Sequence, residues 1–342
     1  MSRLVKLTEE VKTEILEEKP KVEVVREGFS SGSTLLNLAL TDNPFNGFIP
    51  GKLVNIIGDS SAGKSFLLWT LFAEITHDNR FNDYEIIYDE PEVSMEFNIS
   101  KLFGGTTEKR VRIDLRSDSI EDFHDNVVKE VSKGKTIIYG LDSFDALTSE
   151  AEMKRDVRDG TYGMEKPKLA GIILRKICGK IADTQSAVFI ISQTRDNIGV
   201  TFGSKKTRSG GKALKFYSTH ELWLAVEGHI KRKEREVGVN VIAKITKNKV
   251  TGKLRTIGFP IIFDYGVDDV SSMIEWLIDE KVWIKQGRKI DTGEFSGIIS
   301  MDSLIRYVEA TEGKMDELKM YVQGHWMVIE DSVKSDRKSK YE

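Results

Sequence analysis

One stretch, residues 53–72, limits what this chain can fold into more than any other. Leu53-Val54-Asn55-Ile56-Ile57 is largely apolar and β-branched and stops at Gly58. Gly63-Lys64-Ser65 follows, and residues 66–75 are apolar almost all round. A buried strand, a glycine-bounded loop and a buried helix, with the spacing G-x-x-x-x-G-K-[ST], form a phosphate-binding loop. The glycines allow backbone N–H groups to converge on phosphate oxygens, and the helix N-terminus adds its positive end. Gly58, Asp59, Ser60, Ser61, Ala62, Gly63, Lys64, Ser65 and Phe66 are therefore the candidate nucleotide-binding residues. Lys64 would reach the β- and γ-phosphates, and the Ser65 hydroxyl would ligate Mg²⁺. The competing reading, a glycine turn beside an exposed lysine, leaves the flanking strand and helix unexplained.

Composition narrows the class. The chain has 342 residues, 39% hydrophobic and 31% charged, as expected of a soluble globular protein of one large domain with appendages or of two domains. No apolar run is long enough for a membrane-spanning helix. Residues 1–10 lack an apolar signal core, so the expectation is a cytoplasmic protein without a targeting signal. Cys178 is the single cysteine, so no internal disulfide can form. It lies among Ile172, Ile173 and Ile177 at helical spacing, which reads as an inert, buried thiol. The net charge of −3 argues against a general polyanion binder, so any nucleic-acid contact must be local.

In chain order, residues 1–30 are highly charged, with one weak apolar stripe (Leu4, Val5, Val11, Ile15, Leu16) ending at Pro20. This is a helical arm, read either as solvated or as packing on a neighbouring subunit. Strands are expected at 84–88, 111–115, 135–141 and 187–191, alternating with helices at 119–133 and 169–183. That alternation predicts an α/β domain with a mainly parallel central sheet. Three later strands, 221–226, 239–246 and 254–263, have no helices between them and predict an antiparallel extension. Residues 149–168 mix both charges with Gly160, Gly163 and Pro167 and read as a loop. From residue 267 a small α+β C-terminal domain is expected, with helices at 273–278 and 301–309 and a polar tail fraying from about Ser335. The predicted division is 1–30, 31–266 and 267–342.

Other residues complete a phosphate chemistry. Asp142 closes the strand before it and is the candidate second Mg²⁺-side group. The strand ending at Tyr88 delivers Asp89-Glu90-Pro91-Glu92, and both Glu90 and Glu92 are candidate general bases. Gln193 ends the strand Ile190-Ile191-Ser192, where an amide would sense the γ-phosphate. Beyond it, residues 204–215 carry Lys205, Lys206, Arg208, Lys212 and Lys215 with no acid, and Phe202 stands just before them. Cations that track phosphates, with an aromatic to stack on bases, are single-strand-binding chemistry; a solvated charged loop is the alternative.

Together these residues closely resemble the RecA recombinase family. The resemblance runs over about residues 30–265, through Gly58–Ser65, Leu141-Asp142-Ser143, Ile191-Ser192-Gln193-Thr194-Arg195-Asp196-Asn197-Ile198-Gly199-Val200-Thr201-Phe202-Gly203 and Gly210-Gly211-Lys212-Ala213-Leu214-Lys215-Phe216-Tyr217. It implies a RecA-like P-loop ATPase core. It also implies an ATP- and Mg²⁺-dependent, DNA-stimulated ATPase that forms a homo-oligomeric filament on single-stranded DNA and pairs it with homologous duplex. By this resemblance Gln193 senses the γ-phosphate and Asp142 supports Mg²⁺. The second DNA-binding loop spans about 195–211, including Arg195, and the first about 151–168. Lys247 and Lys249 match the pair that reaches ATP bound by the adjacent subunit. The family's Asp-x-Glu appears as Glu90-Pro91-Glu92, so Glu92 takes the water-activating role, with Asp89 leaving the register open by a residue or two. The short, non-acidic tail is closer to phage-type members, and the implied setting is a bacterial or phage-infected cell. The alternative is a RecA-fold, DNA-dependent ATPase that does not exchange strands. A small-molecule kinase would need a lid rich in arginines, and 151–168 offers only Arg155 and Arg158 among acids.

Overall fold

The structure, a computed structural model, describes residues 28–95, 97–155, 165–196, 206–208, 211–334 and 337. The expected N-terminal arm and most of the expected frayed tail lie outside the described residues. The chain alternates β1 (Leu53–Gly58), the helix Lys64–His77, β2 (Glu85–Asp89), β3 (Val111–Arg112), the helix Ile120–Val131, β4 (Ile137–Leu141), the helix Glu165–Asp183, β5 (Ala187–Asp196) and β6 (Lys206–Arg208). It continues through the helix Gly211–Tyr217, β7 (His220–Arg232), β8 (Arg235–Asn248), β9 (Thr256–Ile262) and β10 (Gly266–Val267). The main sheet has the order β10-β9-β8-β7-β1-β5-β4-β2-β3, with β6 attached to β5. From β7 to β3 the pairings are parallel, and from β7 to β10 they are antiparallel. This is the parallel sheet with an antiparallel extension that the pattern of elements predicts.

The central strands are apolar without a break because both faces are covered. Alternate residues go to opposite sides. Ala187, Phe189 and Ile191 of β5 pack with Trp69 and Phe72 of the helix Lys64–His77, whereas Val188 and Ile190 pack with Phe123, Leu174 and Ile177 of the opposite helical layer. Each fully buried aromatic or branched side chain contributes about 1.5–3 kcal/mol. Cys178 is half-buried in the second layer, and burial pushes its thiol up to about 11, so it is unreactive.

Several elements differ from the sequence expectation. The strand predicted over 111–115 stops at Arg112, because it is the sheet edge and Ile113 already faces solvent. The helix predicted from 169 begins at Glu165, with Pro167 in its first turn, where a missing N–H costs nothing. Glu150–Met153 adds a helical turn, capped by Ser149, at the start of the loop expected over 149–168. The polar tail is largely the helix Lys314–Ser332, whose Leu318, Val322 and Trp326, four residues apart, are buried. With the helices Asp269–Asp279 and Met301–Ala310, and a small antiparallel sheet of β11 (Ile284–Gln286), β12 (Lys289–Asp291) and β13 (Ile298–Ser300), it forms the C-terminal part. Its Leu304, Val308, Leu318 and Val322 belong to the same continuous core as the sheet.

A charged network locks that part down. The Arg255 guanidinium lies 2.6 Å from Asp42 Oδ1 and 2.7 Å from Glu330 Oε2, 5.0 Å over the Trp326 ring, and donates to the Leu38 and Ala39 carbonyls. Lys253 bridges the same two carboxylates at 3.2 and 2.8 Å. Arg255→Ala leaves two poorly solvated acids with one cation between them, at a cost of about 3–5 kcal/mol. Urea unfolding at unchanged slope should show it, and a loss below about 1 kcal/mol would mark the network as ordinary surface pairing.

His220 opens β7, fully buried, its ring 6.0 Å from that of Phe48. Burial pulls its imidazole from the ordinary 6.5 down to about 4. Between those values the unfolded chain binds the proton and the folded chain does not. Stability is therefore full above 6.5 and falls as pH drops toward 4, by roughly 3 kcal/mol. His220→Phe should flatten that part of the stability–pH curve; an unchanged curve would assign the acid sensitivity to other groups.

Candidate nucleotide site and the strand ends around it

The parallel pairings bring the C-terminal ends of four strands to one edge. Gly58 of β1 is in register with Gln193 of β5 and with Leu224 of β7, and Asp89 of β2 with Leu141 of β4. This edge, outside the carboxyl ends of the strands, is where open α/β sheets bind ligands. The predicted loop residues lie there as one turn. Gly63 sits at φ 83° directly before the helix, a conformation that favours glycine. A Cβ on Gly58 would come within 2.7 Å of the Leu224 carbonyl oxygen. Ser61 is left-handed as well, at φ 61°, and Ser60 and Ser61 are exposed. Phe66, partly buried, packs its ring 5.1 Å from that of Phe103.

Lys64 is buried and donates 2.6 Å to the Asp59 carbonyl oxygen, and burial lowers its pKa against the pull of Asp142, Glu92, Asp59 and Asp145. Asp142 is buried too. Burial raises its carboxyl above the usual range, while hydrogen bonds from Ser65 and Tyr88 (2.9 Å to the Tyr88 hydroxyl) work in the opposite direction. The Ser65 hydroxyl and the Asp142 carboxylate are thus brought together, the hard-oxygen pair that Mg²⁺ chemistry needs. Among the described residues no group of three or more His, Cys, Asp or Glu could hold a metal. A Mg²⁺ at Ser65 and Asp142 would therefore complete its shell with phosphate oxygens and water, as this ion usually does.

The acidic turn after β2 separates into distinct roles. Asp89 is fully buried and accepts from the Ser117 N–H (2.8 Å), the Ser117 hydroxyl and the Tyr139 hydroxyl, a structural anchor. Glu90 turns back on its own loop, accepting at 2.7 Å from the N–H groups of Ser94 and Met95. Glu92 faces the strand ends: its Oε1 accepts from the Ser143 hydroxyl and, at 3.1 Å, from the Gln193 amide. Of the two candidates, Glu92 is the one aimed at the site.

Two links were not foreseen. The Thr194 hydroxyl donates to Asp59 of the phosphate loop. Asp145 Oδ2 accepts from the Gln193 backbone N–H at 2.7 Å. The available signal was a second acid three residues beyond Asp142, in Asp142-Ser143-Phe144-Asp145. The polar stretch after Gln193 carries strand pairing that was not expected. β5 runs to Asp196 and pairs antiparallel with β6, matching Thr194 to Arg208, Arg195 to Thr207 and Asp196 to Lys206. Arg195 is exposed, Lys206 and Arg208 lie in β6, and Lys212 is exposed on the helix Gly211–Tyr217. Phe202 and Lys205 lie outside the described residues, as do residues 156–164 of the interval expected to form the first loop.

Lys247 and Lys249 are not near the phosphate loop of their own chain. Both turn to the last carbonyls of the helix Gly211–Tyr217, Lys247 reaching those of Lys215 and Phe216 and Lys249 that of Phe216. Burial, then the neighbouring Lys249, lowers the Lys247 ammonium to about 8. The Lys249 N–H donates to Thr219, which itself donates to Leu53, the first residue of β1. The pair is thus level with the start of β1, about 16 Å of strand from Gly58 at the usual rise.

The sequence was compared with known proteins. Residues 9–268 match the family model described as the RecA N-terminal domain. Protein RecA of Caulobacter vibrioides is 30% identical over 330 residues, covering 95% of this chain and 84% of that protein. Protein RecA of Mycoplasmopsis pulmonis is 29% identical over 279 residues, covering 80% and 77%. That of Nostoc punctiforme is 29% identical over 297 residues, covering 87% and 80%. The family model spans most of the chain and the Caulobacter protein matches nearly all of it, on a sheet whose phosphate loop and strand ends share one edge: the chain is a member of the RecA recombinase family.

Proposed function

We propose that this RecA-family recombinase is a DNA-stimulated ATPase that assembles on single-stranded DNA and pairs it with homologous duplex. In this reading the phosphate loop and Lys64 hold ATP, Ser65 and Asp142 hold Mg²⁺, Glu92 activates water and Gln193 senses the γ-phosphate. The observation that carries it is the position of Gln193. Its amide is bonded to Glu92, its backbone lies in register with Gly58, and at the next residue its strand enters the β5–β6 pairing that leads into the basic stretch. Loss of the γ-phosphate would thus be felt at the base of the DNA-contacting segment. Arg195, Phe202, Lys205, Lys206, Arg208 and Lys212 make that contact, with cations on phosphates and Phe202 on bases. Residues 31–266 act as the motor, with 1–30 as an assembly arm and 267–342 as a C-terminal part.

The test is ATP hydrolysis with and without single-stranded DNA, followed by D-loop formation. Stimulation by DNA together with D-loops supports the reading; stimulation without D-loops leaves a DNA-dependent motor that does not exchange strands.

Within the site, Glu92→Gln should retain nucleotide and slow hydrolysis by on the order of a hundredfold or more, the usual worth of a positioned base. Glu90→Gln should cost little, because Glu90 serves only its own turn. The reverse result would shift the base by two residues.

The separation of Lys247 and Lys249 from their own phosphate loop supports the reading that they act on a neighbour's nucleotide. There they would neutralise transition-state charge as an arginine finger does. Lys64→Ala subunits and Lys247→Ala/Lys249→Ala subunits should each be inactive. Mixed, they should recover part of the DNA-stimulated ATPase, since some interfaces pair an intact loop with intact lysines. Co-assembly without recovery would remove the lysines from the shared site.

A further inference from the structure

The connection after β4 begins at Asp142 and Ser143 and ends at Leu147 before the helical turn Glu150–Met153. Two elements, β5 and the helix Glu165–Asp183, converge on it. Gln193 gives its backbone N–H to Asp145 Oδ2 at 2.7 Å. Arg195 places its guanidinium 3.9 Å from Asp145 Oδ1, from a side chain that is 69% exposed while that of Asp145 is 10% exposed. Lys166, in the first turn of the helix Glu165–Asp183, donates to the carbonyls of Phe144 (2.8 Å), Asp145 (3.3 Å) and Leu147 (2.5 Å). Asp145, Ala146, Gln193, Thr194, Arg195 and Glu92 line a shallow cavity at the surface. Asp145 is therefore fixed on one oxygen by the strand end that carries the sensor amide, and faces with the other oxygen the first cation of the basic stretch.

We propose that Asp145 is a positioning residue that occupies Arg195 when DNA is absent and yields it to a DNA phosphate. This rests on the reading of Arg195 as a DNA contact. A carboxylate oxygen and a phosphate oxygen offer a guanidinium the same chemistry. The long, exposed Arg195 pair is weak enough to exchange, whereas the short bond to Gln193 is not disturbed by it. When a phosphate takes Arg195, Asp145 loses one of its cations and keeps Lys166 and the Gln193 N–H, so the sensor strand stays held while the arginine departs. The charges facing Asp145 set this balance: Lys166 and Arg195 favour its carboxylate, and Glu92 opposes it. The exchange makes the DNA-free state a competitor of DNA binding and joins that competition to the residue beside the nucleotide sensor.

Two substitutions separate charge from shape. Asp145→Asn keeps an acceptor for the Gln193 N–H and removes the charge; Asp145→Glu keeps the charge and alters the shape. The measurement is affinity for a dye-labelled oligothymidine, by fluorescence anisotropy, with ADP and with a non-hydrolysable ATP analogue, over a range of salt. Asp145→Asn should tighten binding in the ADP state by about two- to fivefold, the worth of an exposed ion pair. It should also narrow the difference between the two nucleotide states, while Asp145→Glu stays close to the wild type. In an Arg195→Ala background Asp145→Asn should change nothing further, because the two act as one unit. A purely structural Asp145 predicts the opposite order, with Asn the milder change and the effects of Asp145 and Arg195 additive. That outcome, or unfolding of both variants, overturns the proposal. If the wild type itself binds the oligonucleotide equally with either nucleotide, the functional reading fails first; if it discriminates and Asp145→Asn does so equally, only this inference fails.

Discussion

Everything at the candidate site depends on the alignment of parallel strands. Backbone pairing of β1 with β5 and β7 sets Gly58 between Gln193 and Leu224, and pairing of β2 with β4 sets Asp89 beside Leu141. A slip of one residue in any strand would turn its side chains to the other helical layer, where the core is already filled. The two cores, one around Trp69 and Phe72 and one around Phe123 and Ile177, thus fix the register. The register in turn delivers the loop, the carboxylates and the sensor amide to a common edge. The close approach of the Leu224 carbonyl to Gly58 follows from the same constraint.

That edge is built partly dry, and the charges show it. Burial lowers the pKa of Lys64 and raises those of Asp142 and Asp145, each toward its neutral form. The protein therefore spends stability to hold these groups out of water, as sites that stabilise developing charge generally do. An ATP phosphate beside Lys64 and a cation beside Asp142 would reverse both effects, because each favours the charged form of the group it touches. The groups whose burial costs the fold stability are those that an anionic nucleotide and a divalent cation would satisfy.

Much of this was legible in the sequence because short-range rules apply to it. The phosphate loop has fixed spacing, and the strands of a doubly covered sheet are apolar runs. What escaped depends on contacts distant in sequence. The helix Lys314–Ser332 looks polar as a string, and its stripe of Leu318, Val322 and Trp326 acquires meaning only from Asp42 and Arg255, far earlier in the chain. Asp145 looks like any acid in a turn until β5 brings Gln193 and Arg195 to it. Glu90 and Glu92 could not be separated by spacing, because Pro91 and the turn after it decide which carboxylate folds back. Lys247 and Lys249 were legible as a pair through the family resemblance, but not as lying level with the start of β1.

That last feature constrains assembly. β8 runs antiparallel to β7, so its final residues return to the edge where β1 starts, while the phosphate loop follows where β1 ends. A rigid sheet cannot fold one edge onto the other. If both edges serve one nucleotide, as proposed, they must come from different copies, each giving its lysine edge to one neighbour and its phosphate edge to another. Such a contact is head-to-tail and uses two different surfaces, so it generates either a ring or an open helix, according to whether the rotation closes. In either case the nucleotide's negative charge lies between two subunits. Removing the γ-phosphate then weakens the contact between subunits at the same step that changes what Gln193 can bind. Nucleotide state, assembly and grip on DNA would be set by one group of atoms, and no signal would have to cross the core to link them.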